Sequence, residues 1–370
     1  MGFQRRQILG MAGAIAGTSL LSAPAQAGGH HRRVYLGSYT SAGGGGVGLG
    51  RLNSATGQLV IEDWFDAVAD PSWADLSPDR RSLYTTSELV PDGIVSAFRL
   101  DEHGRPRLAN SQPTGQGPVH VAVHPSGRHL FTSLYTTGSV VAHAILPDRT
   151  VGSITDTEVH AAEPGQVQAR THQVVTDPSA RWILSADLGV DAVFVSRFHS
   201  RTGQLGPAQR VRFKAGSGPR HLVFHPHGRF VYVACEQDST VAVCRWRDGV
   251  LTPVQTLPTL LEPPSTRNYP AEIAVSGDGR FVYVSNRGHN SVAVFAVSQG
   301  GASLRLIATP SCGGTWPRHM TIDPSGNWLY LANQQSNEVV WFRLDRQTGL
   351  PVSEPAGRVS ATAVTQVRIV

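Results

Sequence analysis

The chain has 370 residues, of which 16% are charged, and 32 Lys and Arg against 27 Asp and Glu give a formal net charge of +5 at pH 7. Because Arg5 and Arg6 are the only charged residues before residue 28, the rest of the chain keeps a net charge of +3. This small excess comes from arginines scattered along the whole chain, and it excludes the concentrated basic surface that nucleic-acid binding requires.

The first 27 residues have the pattern of an export signal. The pair Arg5-Arg6 precedes an apolar, glycine- and alanine-rich stretch that ends at Leu21, and Ala25-Gln26-Ala27 matches a small-residue cleavage site. Paired arginines are typical of twin-arginine signals. The apolar stretch is too short for a good membrane span, so we expect no membrane anchor in the mature chain. We predict a signal peptide over 1–27, a single domain over 28–370, and a periplasmic or secreted protein.

The next feature along the chain is a repeat of about fifty residues. Each repeat has a short apolar strand, a turn related to Pro-x-Gly-Arg, and then an alternating hairpin, and the turns occupy residues 78–81, 125–128, 178–181, 226–229, 277–280 and 324–327. Alternation with period two between turn residues indicates antiparallel strands. A repeat of this length with four short strands is typical of a β-propeller blade.

The number of hairpins predicts the number of blades. Seven hairpins begin near Val34, Leu83, Leu130, Ile183, Val231, Val282 and Leu329. The first has no turn-linked strand before it, whereas the chain ends in a strand-like run over 364–370. We therefore predict an all-β, seven-bladed β-propeller in which the C-terminal strand completes blade 1 and closes the ring.

The three cysteines are interpreted as small buried apolar residues. Cys235 and Cys244 lie on the two strands of one hairpin, but at different distances from its loop. The geometry of a disulfide requires the two Cβ atoms to face each other, so we expect no bond between them.

One position at the start of the inner strands collects polar side chains. Counting back from the turns places these residues in one register: Trp73, His120, His172, His221, Glu272 and His319. In a four-stranded meander, the start of the first strand and the loop between the second and third strands lie on the same face of the disc. That face should therefore also carry Glu236, Arg287 and His289 from the loops, and Arg170, Arg220 and Arg318 next to the register position.

Packing and function compete as explanations of these residues. His120, His221 and His319 are explained better by hydrogen bonds to the neighbouring blade, whereas Arg220, Glu236 and Arg287 break the repeat's own pattern, as does Glu272. Four histidines near one channel would suit zinc or copper, but no local ligand spacing accompanies them, so no metal is predicted. The glycine run 43–48 joins two strands and opens no helix, so it predicts no nucleotide cofactor.

Four segments resemble a known family. They are similar to the seven-bladed lactonases, which include propeller-type 6-phosphogluconolactonases and carboxy-cis,cis-muconate lactonising enzymes. The segments are residues 216–230 (GSGPRHLVFHPHGRF), 271–276 (AEIAVS), 284–295 (VSNRGHNSVAVF) and 186–191 (ADLGVD). The resemblance implies chemistry on a lactone ring and active-site residues at His172, Arg220, Glu236 and Arg287. Where the family often has Pro-His-Ala-His, this chain has Ala169-Arg170-Thr171-His172.

These observations predict an exported lactonase that hydrolyses a sugar-acid or related lactone at the channel mouth. We expect a monomer without a cofactor, whose partner is a small lactone. Arg220 and Arg287 would stabilise the oxyanion, and His172 or Glu236 would act as general base. Five further residues would bind substrate: Arg170, His221, Glu272, His289 and Arg318. The alternatives are a non-enzymatic binding platform and a cycloisomerase of the muconate-lactonising type.

Overall fold

A computed structural model describes residues 31–263 and 266–370. The predicted signal peptide lies outside the described residues, so its interpretation stays a prediction. The described residues form seven antiparallel sheets, and each sheet has four main strands that follow one another from the channel outwards. The prediction of an all-β, seven-bladed propeller is therefore confirmed.

Every blade runs from an inner strand at the channel to an outer strand at the circumference of the disc. In that order, blade 1 contains Val364–Ile369, His31–Ser38, Val47–Asn53 and Leu59–Phe65, blade 2 contains Ala74–Leu76, Ser82–Ser87, Ile94–Leu100 and Pro106–Pro113, and blade 3 contains Pro118–Val123, His129–Leu134, Ser139–Ile145 and Val151–Val159. Blade 4 contains Thr171–Thr176, Trp182–Asp187, Ala192–His199 and Gln209–Arg212, with the short strand Gln204–Leu205 also pairing its third strand. Blade 5 contains Pro219–Phe224, Phe230–Cys235, Thr240–Arg247 and Val250–Pro258, blade 6 contains Tyr269–Val275, Phe281–Arg287, Ser291–Ser298 and Ser303–Ala308, and blade 7 contains Pro317–Ile322, Trp328–Asn333, Glu338–Arg343 and Gly357–Ser360. Two single 3-10 turns occupy Thr40–Ala42 and Gln299–Gly301.

The C-terminal strand closes the ring, as the sequence predicts. Val364–Ile369 pairs antiparallel with His31–Ser38, with Val34 opposite Ile369 and Leu36 opposite Val367. Val364 and Val367 are buried in a core cluster that joins blade 1 to blade 7. Pairing the first strand of the propeller with the last one leaves no open edge at the channel.

The hydrophobic core lies between neighbouring blades. Each second strand is buried on both of its faces, so residues that point in opposite directions, such as Val231 and Tyr232, both have 0% exposure. One core cluster joins Leu184 and Val193 of blade 4 to Val233 and Cys244 of blade 5. All three cysteines are buried and free, and Cys244 faces Val231 while Cys235 faces Thr240. The prediction that Cys235 and Cys244 form no disulfide is confirmed.

A repeated tyrosine on the second strand links one blade to the next. The hydroxyl groups of Tyr35, Tyr84, Tyr232, Tyr283 and Tyr330 each donate a hydrogen bond to a backbone carbonyl in an outer turn of the following blade. Blades 3 and 4 have Phe131 and Leu184 at this position. Five of the seven interfaces between blades therefore carry this bond, and those after blades 3 and 4 do not.

Each inner strand starts on one face of the disc and ends at the Pro-x-Gly-Arg turns on the other. Pro219, at the start of the inner strand of blade 5, lies opposite Cys235, at the end of the second strand. The predicted placement of inner-strand starts beside the loops after second strands is thus correct. Among the described residues, no helix is long and apolar enough to cross a membrane.

Candidate active site

A β-bulge at the start of the inner strands positions several of the candidate residues. In blade 5, Pro219 lies opposite Cys235 and His221 lies opposite Ala234, so Arg220 is an extra residue without a partner. Bulges commonly redirect a side chain next to a functional site. Aligned on the second strands, the bulge positions of the blades are Thr365, Ser72, Val119, His172, Arg220, Ala271 and Arg318.

The residue that follows the bulge position forms a layer across the channel. In blade order, these layer residues are Gln366, Trp73, His120, Gln173, His221, Glu272 and His319. The Trp73 ring lies 4.4 Å from the His120 ring, 5.3 Å from the His221 ring and 5.2 Å from the His319 ring, measured between centroids. Beyond this layer, towards the turn face, the channel holds a cavity of about 520 Å³.

The alignment corrects one prediction about the register. In blade 4, Thr171 lies opposite Asp187 and Gln173 lies opposite Ala186, which makes His172 the bulged residue. His172 is therefore one position away from the layer register of His221 and aligns with Arg220 and Arg318. His172 lies six residues before the turn of blade 4, whereas His221 lies five residues before the turn of blade 5, so an equal count back from the turns gives Gln173 as the layer residue.

A third position, at the end of each second strand, contributes the other half of the site. It lies four residues after the position of the repeated tyrosine, and in blade 6 it is the last residue of the strand itself. These rim positions are Tyr39, Glu88, Tyr135, Leu188, Glu236, Arg287 and Gln334. Rim and bulge positions lie at the same end of the channel, on the side of the layer away from the 520 Å³ cavity. The site is therefore built from two side chains per blade at two fixed positions.

Glu236 joins two arginines from adjacent blades. Its Oε2 atom accepts a hydrogen bond of 2.6 Å from Nη2 of Arg287 and lies 3.1 Å from Nε of Arg220. The Arg220 guanidinium also donates from Nη1 to the carbonyl of Ala271 at 2.8 Å. The Nε–H bond does not point at Glu236, so the buried Nε has no hydrogen-bond acceptor among the described residues. This arrangement leaves the buried Nε–H of Arg220 without a hydrogen bond inside the site.

Burial and neighbouring charges affect both arginines. Burial, and next the positive charge of Arg287, lower the pKa of Arg220 to about 9, although Glu236 acts in the opposite direction. Burial also lowers the pKa of Arg287, again against the effect of Glu236. The Arg287 guanidinium lies over the rings of Trp316 and Tyr269, 5.4 Å and 6.0 Å from their centroids. With its pKa near 9, Arg220 is still a cation at neutral pH.

Arg318 forms a second charged group with two rim residues. Its Nη2 atom lies 2.7 Å from the hydroxyl oxygen of Tyr39, and the Tyr39 hydroxyl donates to Oε2 of Glu88 at 2.7 Å. The same Glu88 oxygen is 3.7 Å from the guanidinium of Arg318. Together with the first cluster, three guanidinium groups face two carboxylates, so the site keeps one net positive charge.

Arg170 lies at the exposed edge of the site. Its Nη1 atom donates to the hydroxyl of Tyr135 at 3.3 Å, and its guanidinium lies 5.4 Å from the centroid of that ring. The Tyr135 ring in turn meets the His172 ring edge-on at 6.0 Å. Asp187 fixes the local backbone by accepting a hydrogen bond of 2.7 Å from the amide of Arg170.

His172 connects the site to the layer below it. Its Nδ1 atom lies 3.1 Å from Nε2 of His221, and Nδ1 of His221 lies 3.1 Å from both carboxylate oxygens of Glu272. Burial, followed by the charge of Arg220, lowers the pKa of both histidines well below the usual value. Burial raises the pKa of Glu272, against the effects of His319 and Arg220. Neutral imidazoles are therefore favoured at both histidines.

Three of the predicted substrate-binding residues do not reach the open side of the site. His221 is fully buried in the layer, and the side chain of Glu272 points at His221 and His319. The exposed His289 bonds Ser291 of its own loop at 2.8 Å and contacts none of the clustered charges. The geometry does not support direct substrate contact by these three side chains. His221 and Glu272 make their contacts within the layer, and His289 makes its contact with Ser291.

The packing interpretation of the layer histidines is correct for two of three. His221 hydrogen-bonds residues of both neighbouring blades, and Nδ1 of His319 accepts a bond of 3.3 Å from the amide of Val367 in blade 1. The His120 ring instead packs against the Trp73 ring at a tilt of 36°, and its buried Nδ1 has no partner among the described residues. The expectation of a hydrogen bond between blades is wrong for His120.

Sequence reasoning misses five residues that shape the site. Tyr39, Glu88 and Tyr135 occupy rim positions, while the rings of Tyr269 and Trp316 both contact the Arg287 guanidinium. The signal for the rim residues is the position four residues after the repeated tyrosine, or after Phe131 in blade 3, and the same position gives Glu236 and Arg287. Within residues 31–263 and 266–370, no group of three or more His, Cys, Asp and Glu side chains has a geometry suited to a metal ion.

The seven blades, the layer across the channel and the cationic cluster on one face define a seven-bladed β-propeller with a candidate ligand site at its channel mouth. The family model described as "Lactonase, 7-bladed beta-propeller" matches residues 33–367, so the chain belongs to the seven-bladed β-propeller lactonase family. This confirms the resemblance found in the sequence.

Individual relatives agree with this family. A 6-phosphogluconolactonase of Bacillus subtilis is 28% identical over 325 residues, covering 85% of this chain and 92% of that protein. A protein of the same name from Formosa agariphila is 30% identical over 330 residues, covering 85% and 93%. Among solved structures, the periplasmic gluconolactonase PpgL of Pseudomonas aeruginosa matches with a TM-score of 0.84 and 28% identity, covering 92% of this chain and 99% of that one.

Proposed function

We propose that the protein hydrolyses the lactone of a sugar acid or a related hydroxy acid at the rim of the channel. Membership of the lactonase family and relatives named 6-phosphogluconolactonase and gluconolactonase support lactone hydrolysis. The observation that carries the assignment of the site is the pair Arg220 and Arg287 around Glu236, with one guanidinium N–H of Arg220 left without an acceptor among the described residues.

The two arginines suit the charge that develops during the reaction. Attack of water on a lactone carbonyl moves an electron pair onto the carbonyl oxygen, and hydrogen-bond donors aimed at that oxygen lower the barrier. Arg220 is buried and held by the carbonyl of Ala271 and the carboxylate of Glu236, so its donors are oriented before the substrate arrives. Arg318 and Arg170 lie further round the rim and would bind an anionic substituent of the substrate.

The reaction also needs a base to take a proton from the attacking water. His172 and Glu236 are two groups in the site with the required chemistry, and both lie beside the arginines. Collapse of the tetrahedral intermediate breaks the ring C–O bond, and the leaving oxygen receives the proton to give the open hydroxy acid.

A panel of lactones tests this function directly. Purified protein lacking residues 1–27 is incubated with sugar lactones, their 6-phosphorylated forms and lactones that carry a carboxylate, and acid release is measured in a pH-stat. We expect turnover of at least one of these lactones, and its loss in Arg287→Met. Binding of a lactone without turnover would favour the binding platform. Ring closure of an unsaturated dicarboxylate, in which a carboxylate adds across a C=C bond without loss of water, would favour the cycloisomerase.

We also propose that the protein is exported, with residues 1–27 as the signal. The arginine pair and cleavage-site pattern support export, and the P. aeruginosa neighbour is named a periplasmic enzyme. Replacing Arg5 and Arg6 together by lysine should leave the uncleaved precursor in the cytoplasm, because the paired arginines are the feature that the twin-arginine route recognises. Cell fractionation and immunoblotting measure this. Processing of the double variant at the normal rate would contradict this route.

A further inference from the structure

Three successive blades contribute one residue each to a hydrogen-bonded chain that ends in the site. Glu272 of blade 6 contacts His221 of blade 5, which contacts His172 of blade 4, and the distance is 3.1 Å at each step. His221 and Glu272 lie in the layer, whereas His172 occupies a bulge position above it. The chain therefore reaches from the buried layer to the open side of the site.

The groups around Glu272 determine which atoms carry protons. The amide of Ile273 donates to Oε1 of Glu272 at 3.0 Å. Nδ1 of His319 accepts from the amide of Val367, so the neutral His319 ring carries its proton on Nε2, which lies 3.4 Å from Oε2 of Glu272. The donors at Ile273 and His319 favour the ionised form of the Glu272 carboxyl group, against the effect of burial, and an ionised carboxylate can only accept hydrogen bonds. Nδ1 of His221 must therefore be the protonated nitrogen that faces Glu272.

The proton positions then follow along the chain. A neutral His221 protonated at Nδ1 presents Nε2 as an acceptor, so His172 must donate from its own Nδ1. The neutral His172 ring then has its lone pair on Nε2. Nε2 forms no hydrogen bond with any described residue, and the guanidinium of Arg220 lies close enough to affect this ring.

We propose that Glu272 and His221 are positioning residues that hold His172 in the tautomer with a proton on Nδ1, so that Nε2 is the general base of the reaction. This role as base depends on the proposed lactone hydrolysis. The oxygen of water bonds to the carbonyl carbon, the carbonyl electron pair moves to oxygen, and the water proton passes to Nε2 of His172. When the ring C–O bond breaks, the same proton passes from Nε2 to the leaving oxygen.

The other candidate base is engaged differently. Oε2 of Glu236 is occupied by the guanidinium groups of Arg287 and Arg220, at 2.6 Å and 3.1 Å. Its role in this scheme is to orient the two arginines, whereas the lone pair of His172 has no competing donor among the described residues. The carboxylate of Glu272 would also stabilise, through His221, the positive charge that His172 gains when it accepts the proton.

Nitrogen NMR of the imidazole rings tests the tautomer without any substrate. The protein is labelled with 15N in its histidine rings, and the signals of His172 are assigned by their absence in His172→Gln. We expect a neutral His172 ring with its proton on Nδ1 at pH 7. A proton on Nε2 of His172 in the unaltered protein would overturn the proposal, and this result does not depend on whether any other variant folds.

Glu272→Gln tests the role of the carboxylate. The side-chain amide introduced by this substitution can donate to Nδ1 of His221, which reverses both donor directions along the chain and moves the proton of His172 to Nε2. We expect that tautomer by NMR, and kcat on a responsive lactone lower by about 10- to 100-fold, part of the 10²- to 10⁴-fold effect of general acid–base catalysis. KM should change within about threefold, because neither Glu272 nor His221 touches the substrate.

His120→Gln is the matched control from the same layer. His120 also belongs to an inner strand and packs against Trp73, but it takes no part in the chain. We expect the His172 tautomer and kcat to stay unchanged in this variant. An unchanged tautomer and kcat in Glu272→Gln would overturn the proposal. The expected tautomers without turnover of any lactone would instead refute the proposed function and leave the hydrogen-bonded chain intact.

Discussion

Replacing Arg220 by methionine separates catalysis from packing at the centre of the site. Methionine keeps most of the length of the side chain, which is 2% exposed, but removes the charge and all donors. The unused Nε–H of Arg220 is lost, as is the bond from Nη1 to the carbonyl of Ala271. Glu236 keeps its 2.6 Å bond to Arg287, so no carboxylate is left unpaired. The local net charge falls from plus one to zero.

The expected magnitude on activity follows from the geometry. Loss of one donor to a developing oxyanion costs about 10²- to 10³-fold in kcat, or about 3–4 kcal/mol of transition-state stabilisation. The free energy of unfolding should change much less. The unpaired carbonyl of Ala271 costs about 1–3 kcal/mol, while removal of a buried cation acts in the opposite direction. The variant should therefore remain folded, with turnover lower by at least about 100-fold.

The assay compares turnover and stability in the same preparations. Acid release from a responsive lactone gives kcat and KM, and calorimetry gives the melting temperature. Arg280→Met is the matched control, because Arg280 is a partly exposed arginine on the opposite face that pairs with Asp278 at 2.8 Å. It should leave kcat unchanged. If Arg220→Met keeps kcat within about threefold of the parent, or loses stability and not turnover, Arg220 does not stabilise the oxyanion and the reasoning fails.

Three further predictions concern stability. Deleting residues 364–370 removes the partner of His31–Ser38 and should abolish the single cooperative transition in calorimetry; a truncated protein that melts like the parent would refute closure of the ring by this strand. Tyr232→Phe leaves the carbonyl of Gly301 without its 2.9 Å hydrogen bond. The free energy of unfolding, measured in urea, should fall by about 1–3 kcal/mol. A change below about 0.5 kcal/mol would show that this bond between blades contributes little. Burial lowers the pKa of four layer and bulge histidines, with His319 at about 4, so the unfolded chain binds more protons than the folded one between pH 6.5 and 4. The free energy of unfolding should therefore fall as the pH is lowered through that window, partly offset by the raised pKa of Glu272. In urea titrations, the slope of this free energy against pH should become smaller in His319→Gln, and an unchanged slope would contradict this cause.

The fold is predictable because the repeat is expressed in local sequence. Turn residues, period-two alternation and an unpaired C-terminal run together define seven blades and the strand that closes them, and these depend on neighbours in the chain. The grouping of Arg220, Glu236 and Arg287 follows from the same topology, since strand direction decides which loops share a face.

The details of the site depend on features that alternation does not encode. A bulge adds one residue to an inner strand and changes the direction of its side chain. The recurrence of histidine on the inner strands assigns His172 to the wrong register, whereas an equal count back from the turns gives Gln173. Position alone predicts that Glu272 and His221 face the substrate, but the channel is narrow enough for layer side chains to meet across it.

The rim residues that were not predicted show a second limit of prediction from sequence. Tyr39, Glu88 and Tyr135 lie in the loops assigned to the correct face, yet their roles come from contacts between distant parts of the chain, such as Arg318 with Tyr39. No pairwise spacing in the chain predicts such contacts. Variation between blades at one structural position is the signal that would find them.

The pairing of the first strand of the propeller with the last one also determines when folding can be completed. During synthesis, His31–Ser38 leaves the ribosome first and its partner Val364–Ile369 leaves last. At 5–20 residues per second, the first strand waits roughly 15 to 70 s for the pairing that completes blade 1. A chain that stops early never obtains this pairing and keeps an open edge that proteases and chaperones can bind. The same contact that stabilises the finished ring thus lets a cell distinguish complete copies from interrupted ones.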